Sequence, residues 1–171
     1  MDAEELRARQ APLKEKYKAD PATALVTSRA TGDHRDPGIT TTVDGWAGPV
    51  RAGQHPATGG DGSDACSADL LMEALLGCAG VTFRAVTTAM GVRTDDVELT
   101  AECTWDARGT LGLDREVPVG IGDVVVTITV DTDADDARLE RIATSTERYC
   151  VVGQSLAQPP AIRVVRRSPT G

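Results

Sequence analysis

Apolar and polar residues alternate in two stretches of the chain, and this pattern predicts two long β-strands. From Val97 to Trp105 the odd-numbered residues are apolar and the even-numbered residues are polar. From Val124 to Val130 the even-numbered residues share one apolar face. A period of two is that of a strand with one face toward a core. Runs rich in β-branched residues predict further strands at 22–30, 39–44, 46–51 and 161–167.

A helical period replaces the alternation in residues 67–92. Apolar and small residues recur there at i, i+3 and i+4, namely Leu71, Ala74, Leu75, Cys78, Val81, Thr82 and Ala85. Ser67 can cap the start of this helix, and Gly91 can end it. Glu73 and Arg84 are the main interior exceptions to an apolar surface. A helix that is apolar nearly all round is buried, so we expect it at the centre of the fold.

Two more helices are predicted, one toward each end of the chain. Residues 134–149 place Leu139 and Ile142 on one face and carry acids in the first turn, where the helix dipole favours them. Residues 1–20 read as an amphipathic helix that Pro12 is expected to break or kink. We therefore expect residues 1–20 to form a helical arm and residues 21–171 to form a single domain.

The order of elements predicts an α+β fold, with antiparallel sheets packed on the long buried central helix. The chain has 171 residues, of which only 3% are aromatic. Such a chain has little bulk with which to cover an apolar helix by itself. An intertwined homodimer would bury that helix from both sides.

The charge balance excludes some classes of partner. With 26 acidic and 18 basic residues, the formal net charge is −8, which argues against nucleic acid and against an anionic membrane surface. We find no apolar run near the roughly 20 residues that a membrane helix needs. The first 20 residues are charged throughout and lack an apolar signal core. We expect a cytoplasmic protein with no membrane partner.

Four cysteines, at positions 66, 78, 103 and 150, are too few and too widely spaced for a disulfide scaffold. The two histidines, His34 and His55, form no metal-binding motif, and the sequence contains no CxxC. We therefore expect neither a metal nor another cofactor. Thiols in a cytoplasmic protein start reduced, so any disulfide would belong to redox chemistry.

Each cysteine also has a structural interpretation. Cys78 lies within the apolar helix, where a thiol commonly fills space as a small hydrophobe. Cys103 lies on the core face of a strand and favours packing. Cys66 precedes the helix, whose dipole could activate a thiol, although a passive loop position is the simpler interpretation. Cys150 ends the second helix, and for this residue structure and chemistry are equally plausible.

A reactive thiolate needs a cation to hold it and a carboxylate to orient that cation. Candidate cations are Arg29, Arg35, Arg51 and Arg84. Candidate carboxylates are Asp61, Asp64, Asp69 and Glu73. Spacing along the sequence does not choose among them.

Two stretches resemble the signature of the OsmC/Ohr family, the osmotically induced and organic hydroperoxide resistance proteins. The first is GGDGSDACSADLLMEALLGCAGVTFRAV, a polar Gly-rich loop that runs into a Leu-rich helix with Gly/Ala-Cys. The second is RLERIATSTERYCVVGQSLAQPPAI, a helix that runs into a cysteine before a short final strand. The resemblance covers roughly residues 22–167.

The resemblance implies a thiol-dependent peroxidase that reduces organic hydroperoxides and is re-reduced by an external dithiol. Family members are intertwined homodimers with two active sites at the subunit interface. Cys78 would be the peroxidatic thiol and Cys150 the resolving thiol. The resemblance places the arginine at Arg51, with Arg29 and Arg35 open, and the acid at Asp69. Ala68 could instead occupy the family's acid position, which would leave no carboxylate there.

Three departures from the family pattern leave a second function open. Val151-Val152 follow Cys150 where the family usually has Pro-Val, and the missing proline could loosen this part of the site. Cys66 stands close to the family's usual proline. His55 could carry protons near the site, or it could be an exposed loop residue. The alternative function is a non-catalytic, stress-associated dimer that binds an apolar small molecule at its interface.

Overall fold

The computed structural model describes residues 1–167, which form two sheets and five α-helices. The helices are α1 (Ala3–Ala19), α2 (Ser67–Ala89), α3 (Ala107–Thr110), α4 (Asp136–Tyr149) and α5 (Val151–Gln154). The strands are β1 (Thr31–Asp33), β2 (Thr40–Gly45), β3 (Gly48–Gly53), β4 (Ala65–Cys66), β5 (Asp95–Thr104), β6 (Gly122–Asp131) and β7 (Ala161–Arg166). Short 3-10 turns span Pro21–Ala24 and Pro56–Thr58. The predicted α+β class is confirmed.

The chain divides into two compact units. The first comprises Met1–Leu25, Ala74–Glu102 and the chain from Asp123 onward. The second comprises Val26–Glu73 and Cys103–Gly122. The division into an arm (1–20) and one domain (21–171) stays a prediction.

The second unit is built on a four-stranded sheet in the order β1-β2-β3-β4. Strands β1, β2 and β3 pair antiparallel, with Thr42 opposite Arg51, whereas β4 joins β3 in parallel. A tight turn at Trp46 and Ala47 links β2 to β3, and Gly48 supplies its positive φ of 115°. Trp46 stands fully exposed at the tip of this hairpin.

The first unit contains a three-stranded sheet in the order β5-β6-β7, and its core lies on one face of β6. Val126, Ile128 and Val130 are fully buried on that face, as their alternation predicts. Strand β7 pairs with β6 in parallel, with Ile162 opposite Val126. Helix α4 packs against β7. The prediction of purely antiparallel sheets is therefore wrong for β3–β4 and for β6–β7, because chain segments between those partners return each strand in the same direction.

Helix α2 is buried along one face. Leu75, Ala79, Phe83 and Thr87 recur every four residues and are at most 2% exposed. On the opposite face Val81 is 73% exposed. Gly91 ends this segment as predicted, with a φ of 62° and with the Val92 amide donating to the Thr87 carbonyl at 2.9 Å, as in a Schellman cap. We expected α2 to be buried on all sides, but in the single chain only one of its faces is buried.

Helix α2 is long and apolar enough to cross a membrane, by length and composition only. No other helix within residues 1–167 meets these two criteria. The expectation that no segment approaches that size is therefore wrong for α2. One face of this helix packs into the core at Leu75, Ala79, Phe83 and Thr87.

Near the N-terminus the structure contradicts two predictions, the break of the first helix at Pro12 and the strand at 22–30. Helix α1 continues through Pro12 without a break. Asp2 caps its start by accepting from the amides of Glu4 and Glu5, and this cap supports the helix against the bond lost at Pro12. Residues 22–30 form no strand. The chain there makes a 3-10 turn and then runs exposed to β1, because no neighbouring strand pairs with its β-branched residues.

Candidate active site

The position of Cys78 follows from the period of α2. It lies between Leu75 and Ala79, beside the fully buried row of the helix, and is itself half-buried. Cys78 is therefore held by a rigid helix while part of its surface stays accessible. The hydroxyl of Thr82, one turn later, donates to the Cys78 carbonyl at 2.8 Å.

Cys150 extends the buried face of α4. Leu139, Ile142 and Thr146 form that face, and Cys150 follows four residues after Thr146, with no exposed surface. Its amide donates to the Thr146 carbonyl at 3.0 Å and closes α4. Its side chain then caps α5, so that Cys150 is the joint between the two helices. Arg148, the nearest cation in sequence, lies over the Tyr149 ring at 5.6 Å.

The fold brings the sulfurs of Cys78 and Cys150 together over the first turn of α5. The Val152 amide donates to Cys78 Sγ at 3.5 Å, and the Gly153 amide donates to Cys150 Sγ at 3.4 Å. Burial raises the pKa of Cys150, and a hydrogen bond with Cys78 raises it further, while the Gly153 amide acts in the opposite direction. Cys150 therefore stays a neutral thiol at neutral pH. Both thiols are free.

Gly153 lies at a closely packed position beside Cys150. A Cβ at this position would lie 3.1 Å from Pro160 Cγ and 3.3 Å from Cys150 Sγ. Pro160 is itself fully buried, so it has little room to yield. Val151, which stands where the family has proline, is 72% exposed.

Arg51, in the second unit, is held by the carboxylate of Asp64. Arg51 Nε lies 2.8 Å from Asp64 Oδ1, and its Nη2 donates to Oδ2 at 2.9 Å. This two-point contact fixes the plane of the guanidinium. The Asp64 side chain is 12% exposed and that of Arg51 is 45% exposed. Both line a cavity of about 240 Å³ together with Asp61 and Ser63.

The other candidate cations have other partners. Arg35 pairs with Asp33 and Asp44 on the edge of the sheet. Arg84 donates to the Thr94 hydroxyl at 3.3 Å. Arg29 lies in the exposed segment before β1. Among the candidates, Arg51 is the cation that a carboxylate from the Gly-rich loop orients.

Asp69 is exposed in the first turn of α2, and its charge acts on a different cysteine. Burial raises the pKa of Cys103, with smaller contributions in the same direction from the charges of Asp69 and Cys66. The carboxylate in contact with Arg51 is therefore Asp64, which the sequence offered as one candidate among four. The bidentate contact depends on the loop that returns residue 64 to β3, and spacing along the sequence does not reveal that path.

His55 faces the indole of Trp105. The ring centroids are 5.2 Å apart at an interplanar angle of 86°. His55 Nδ1 accepts from the Ala57 amide at 3.0 Å, so this nitrogen is the unprotonated one. Trp105 also lines a cavity of about 450 Å³ with Asp106 and Pro118. Within residues 1–167, no three His, Cys, Asp or Glu side chains form a group that could hold a metal ion.

Comparison with known proteins identifies the family and the fold. The sequence model of the family described as OsmC-like protein matches residues 60–165. No curated protein matches the chain at a significant level.

Solved structures share the fold at low sequence identity. The organic hydroperoxide resistance protein from Elizabethkingia anophelis has a TM-score of 0.65 at 13% identity, covering 84% of this chain and 98% of that one. The OsmC like protein from Mycoplasma pneumoniae has a TM-score of 0.64 at 10% identity, with coverages of 83% and 95%. The organic hydroperoxide resistance protein OsmC from Legionella pneumophila has a TM-score of 0.59 at 15% identity, with coverages of 84% and 98%. At these identities the likeness concerns the fold alone.

Proposed function

The chain belongs to the OsmC-like protein family, and on that basis we propose that it is a thiol-dependent peroxidase that reduces organic hydroperoxides. Structures of the same fold are named organic hydroperoxide resistance proteins, which supports the substrate class. The observation that carries the proposal is the meeting of Cys78 and Cys150 over one turn of backbone.

The chemistry follows from the difference between the two sulfurs. The Cys78 thiolate attacks the distal oxygen of ROOH. The O–O bond breaks, ROH leaves after taking up one proton, and Cys78 becomes a sulfenic acid. The Cys150 thiol then displaces water from that sulfenic acid to form the disulfide. An external dithiol reduces the disulfide and is itself oxidised, which returns both thiols.

Accessibility and burial support this assignment of roles. Cys78 is half-buried and keeps part of its surface exposed, which supports its role as the thiol that meets the peroxide. Cys150 is fully buried and has a raised pKa, so it is shielded from peroxide and suited to wait as a thiol. A second thiol nearby protects the sulfenic acid from further oxidation.

We assign the cation of the site to Arg51. Its guanidinium is already oriented by a carboxylate, as a cation that stabilises a thiolate should be. Asp64 is the orienting acid in this proposal, because it makes both contacts with Arg51. Asp69 is kept as a second proposed carboxylate of the site, on the family resemblance.

Further parts of the proposal concern substrate and assembly. The residues around Cys78 on α2 are apolar, which favours an alkyl or lipid hydroperoxide over hydrogen peroxide. Val81 is 73% exposed on α2, and this apolar position supports a homodimer that covers it. We place the protein in the cytoplasm, with no nucleic-acid or membrane partner and no cofactor.

The test is intact mass and peptide mapping after one equivalent of cumene hydroperoxide. We expect a Cys78–Cys150 disulfide that dithiothreitol reverses. Cys150→Ser should accumulate oxidised Cys78 without that disulfide, and Cys103→Ser, the matched control, should behave as the native protein. Peroxide turnover that survives Cys78→Ser would overturn the assignment.

Unchanged thiols would instead favour the alternative function. In that case the chain would be a non-catalytic OsmC-like dimer that binds an apolar small molecule. Binding of that kind would be detected by ligand carried through native mass spectrometry.

A further inference from the structure

We propose that the peptide N–H of Val152 is a catalytic group that stabilises the Cys78 thiolate, and that Gly153 positions Cys150 beside it. The proposal rests on the proposed peroxidase function and adds a donor that is not a side chain. It concerns the turn α5, which follows the resolving cysteine along the chain.

Two consecutive amides serve the two sulfurs, and the Val152 amide also lowers the pKa of Cys150. Val152 N lies 3.5 Å from Cys78 Sγ, and Gly153 N lies 3.4 Å from Cys150 Sγ. Consecutive amides at the start of a helical turn point in the same direction and have no partner within the helix. The two sulfurs thus occupy the positions where the turn offers its free donors.

A thiolate gains more from this contact than a thiol does. Hydrogen bonds to an ionised acceptor are shorter and about twice as strong as those between neutral groups. The Val152 N–H is therefore placed to donate to the Cys78 thiolate, which is the nucleophile.

Gly153 keeps the second sulfur in place. Its missing Cβ leaves room for Cys150 Sγ and for Pro160, which an alanine Cβ would meet at 3.3 Å and 3.1 Å. Gly153 is buried and Pro160 is fully buried. An alanine Cβ at position 153 would therefore crowd Cys150 Sγ and Pro160, and these neighbours would have to shift by a few tenths of an ångström. Gly153 acts through Cys150, so it is a positioning residue.

The direct test replaces the Val152 amide with an ester, which removes the N–H and keeps the side chain. The measurement is the rate at which Cys78 reacts with iodoacetamide at pH 7, followed by peptide mapping of the reduced full-length chain. We expect the rate to fall about tenfold, as for a loss of on the order of 1.4 kcal/mol in thiolate stability. The same change at Val151, whose amide contacts neither sulfur among the described residues, is the matched control. Its rate should stay within about twofold of native, since no charge-assisted bond is lost.

The outcomes separate this inference from the proposed function. A native alkylation rate in the Val152 ester, with an unchanged melting temperature, would overturn the role of the amide even if peroxidase activity is present. A selective fall in the rate would support it even if no hydroperoxide is consumed. Cys103 in the same sample reports on general unfolding, because its alkylation should not change.

The role of Gly153 is tested with Gly153→Ala under the same conditions. We expect the yield of Cys78–Cys150 disulfide after one equivalent of cumene hydroperoxide to fall while Cys78 oxidation continues. The ratio of the two products distinguishes positioning from a loss of fold, which would expose Cys103 to alkylation. Native disulfide yield in a folded Gly153→Ala protein would overturn the positioning role.

Discussion

The four cysteines fall into two groups whose surroundings differ. Cys150 is buried, whereas Cys78, Cys66 and Cys103 are half-buried. Cys78 and Cys150 share the turn α5, and each sulfur accepts a backbone amide. Cys66 and Cys103 lie in the other compact unit, and the pKa of Cys103 is raised by burial and by the charges of Asp69 and Cys66. Donors favour a thiolate, whereas negative charge opposes one. Burial is the largest cause of the raised pKa of both Cys150 and Cys103, so the groups differ in what is added to burial: backbone amides at one pair and nearby negative charge at the other.

The largest expected difference between the groups is catalytic. Cys78→Ser should lower turnover of cumene hydroperoxide by about three orders of magnitude or more, because it removes the nucleophile. Cys103→Ser should leave turnover within about twofold, because Cys103 is not one of the proposed catalytic residues and a small packing change has a small effect. The measurement is steady-state peroxide consumption with dithiothreitol. Equal losses in both variants would break the comparison.

Oxidation should change stability through one group only. A Cys78–Cys150 disulfide closes a loop of about 70 residues and should add about 4 kcal/mol to the free energy of unfolding. Urea unfolding of the peroxide-treated and reduced proteins measures this difference. Cys150→Ser should abolish it and Cys66→Ser should not. A stabilisation that is lost in Cys66→Ser would mean that Cys66 forms the disulfide, and it would contradict the assignment of Cys78 and Cys150 as the reactive pair.

The two carboxylates proposed for the site should also differ in their effect. Asp64→Asn should lower turnover about tenfold, because one charge-assisted bond to Arg51 contributes on the order of 1.5 kcal/mol at this half-exposed site. Asp69→Asn, which keeps the Arg51 contact, should have an effect below about threefold. The comparison uses kcat/KM for both variants and for Arg51→Lys. A larger loss in Asp69→Asn would restore Asp69 as the principal acid.

Alkaline pH should weaken the fold through both groups. The pKa values of Cys150 and Cys103 are raised in the folded state, so above about pH 8.5 the unfolded chain loses these protons first. Stability is then fully present below that pH and falls as pH rises, by up to about 1.4 kcal/mol per pH unit for each thiol. Urea unfolding from pH 7.5 to 10 under reducing conditions measures the slope. It should flatten in the double variant Cys103→Ser/Cys150→Ser, and an unchanged slope would contradict the assignment.

The smallest expected effect tests the missing proline. Val151 is the first residue of α5, and Cys150 before it has an extended backbone (φ −76°, ψ 101°) that a following proline accepts. Val151→Pro should therefore be neutral or stabilise the protein by about 0.4–1 kcal/mol. Thermal unfolding measures the change. Cys78 alkylation in the same variant should stay native, since the Val152 amide is untouched.

The sequence predicted the elements that carry strong periodicity. The faces of β5, β6, α2 and α4 follow directly from residues such as Val126 and Leu75, because burial imposes the period. It failed for 22–30, where β-branched residues have no strand to pair with, and for the direction of β7. Strand direction depends on connections across the chain, which local patterns do not encode.

The site divides along the same line. The resemblance indicated Cys78 and Cys150, and the fold places them together. It did not select Asp64, which reaches Arg51 through a loop of several glycines. It gave no sign of the Val152 amide either, because a peptide N–H is present at almost every residue and only tertiary structure gives it a partner.

The two tryptophans give the molecule an internal optical reporter. Trp46 stands in water at a hairpin tip, while Trp105 is half-buried against His55. The fluorescence emission maximum of Trp46 should therefore lie at a longer wavelength than that of Trp105. A second copy that covers the hairpin would shift the red component toward the blue as the protein is concentrated. A ligand in the cavity beside Trp105 would alter the other component, so the unmodified chain can report assembly and binding at separate wavelengths.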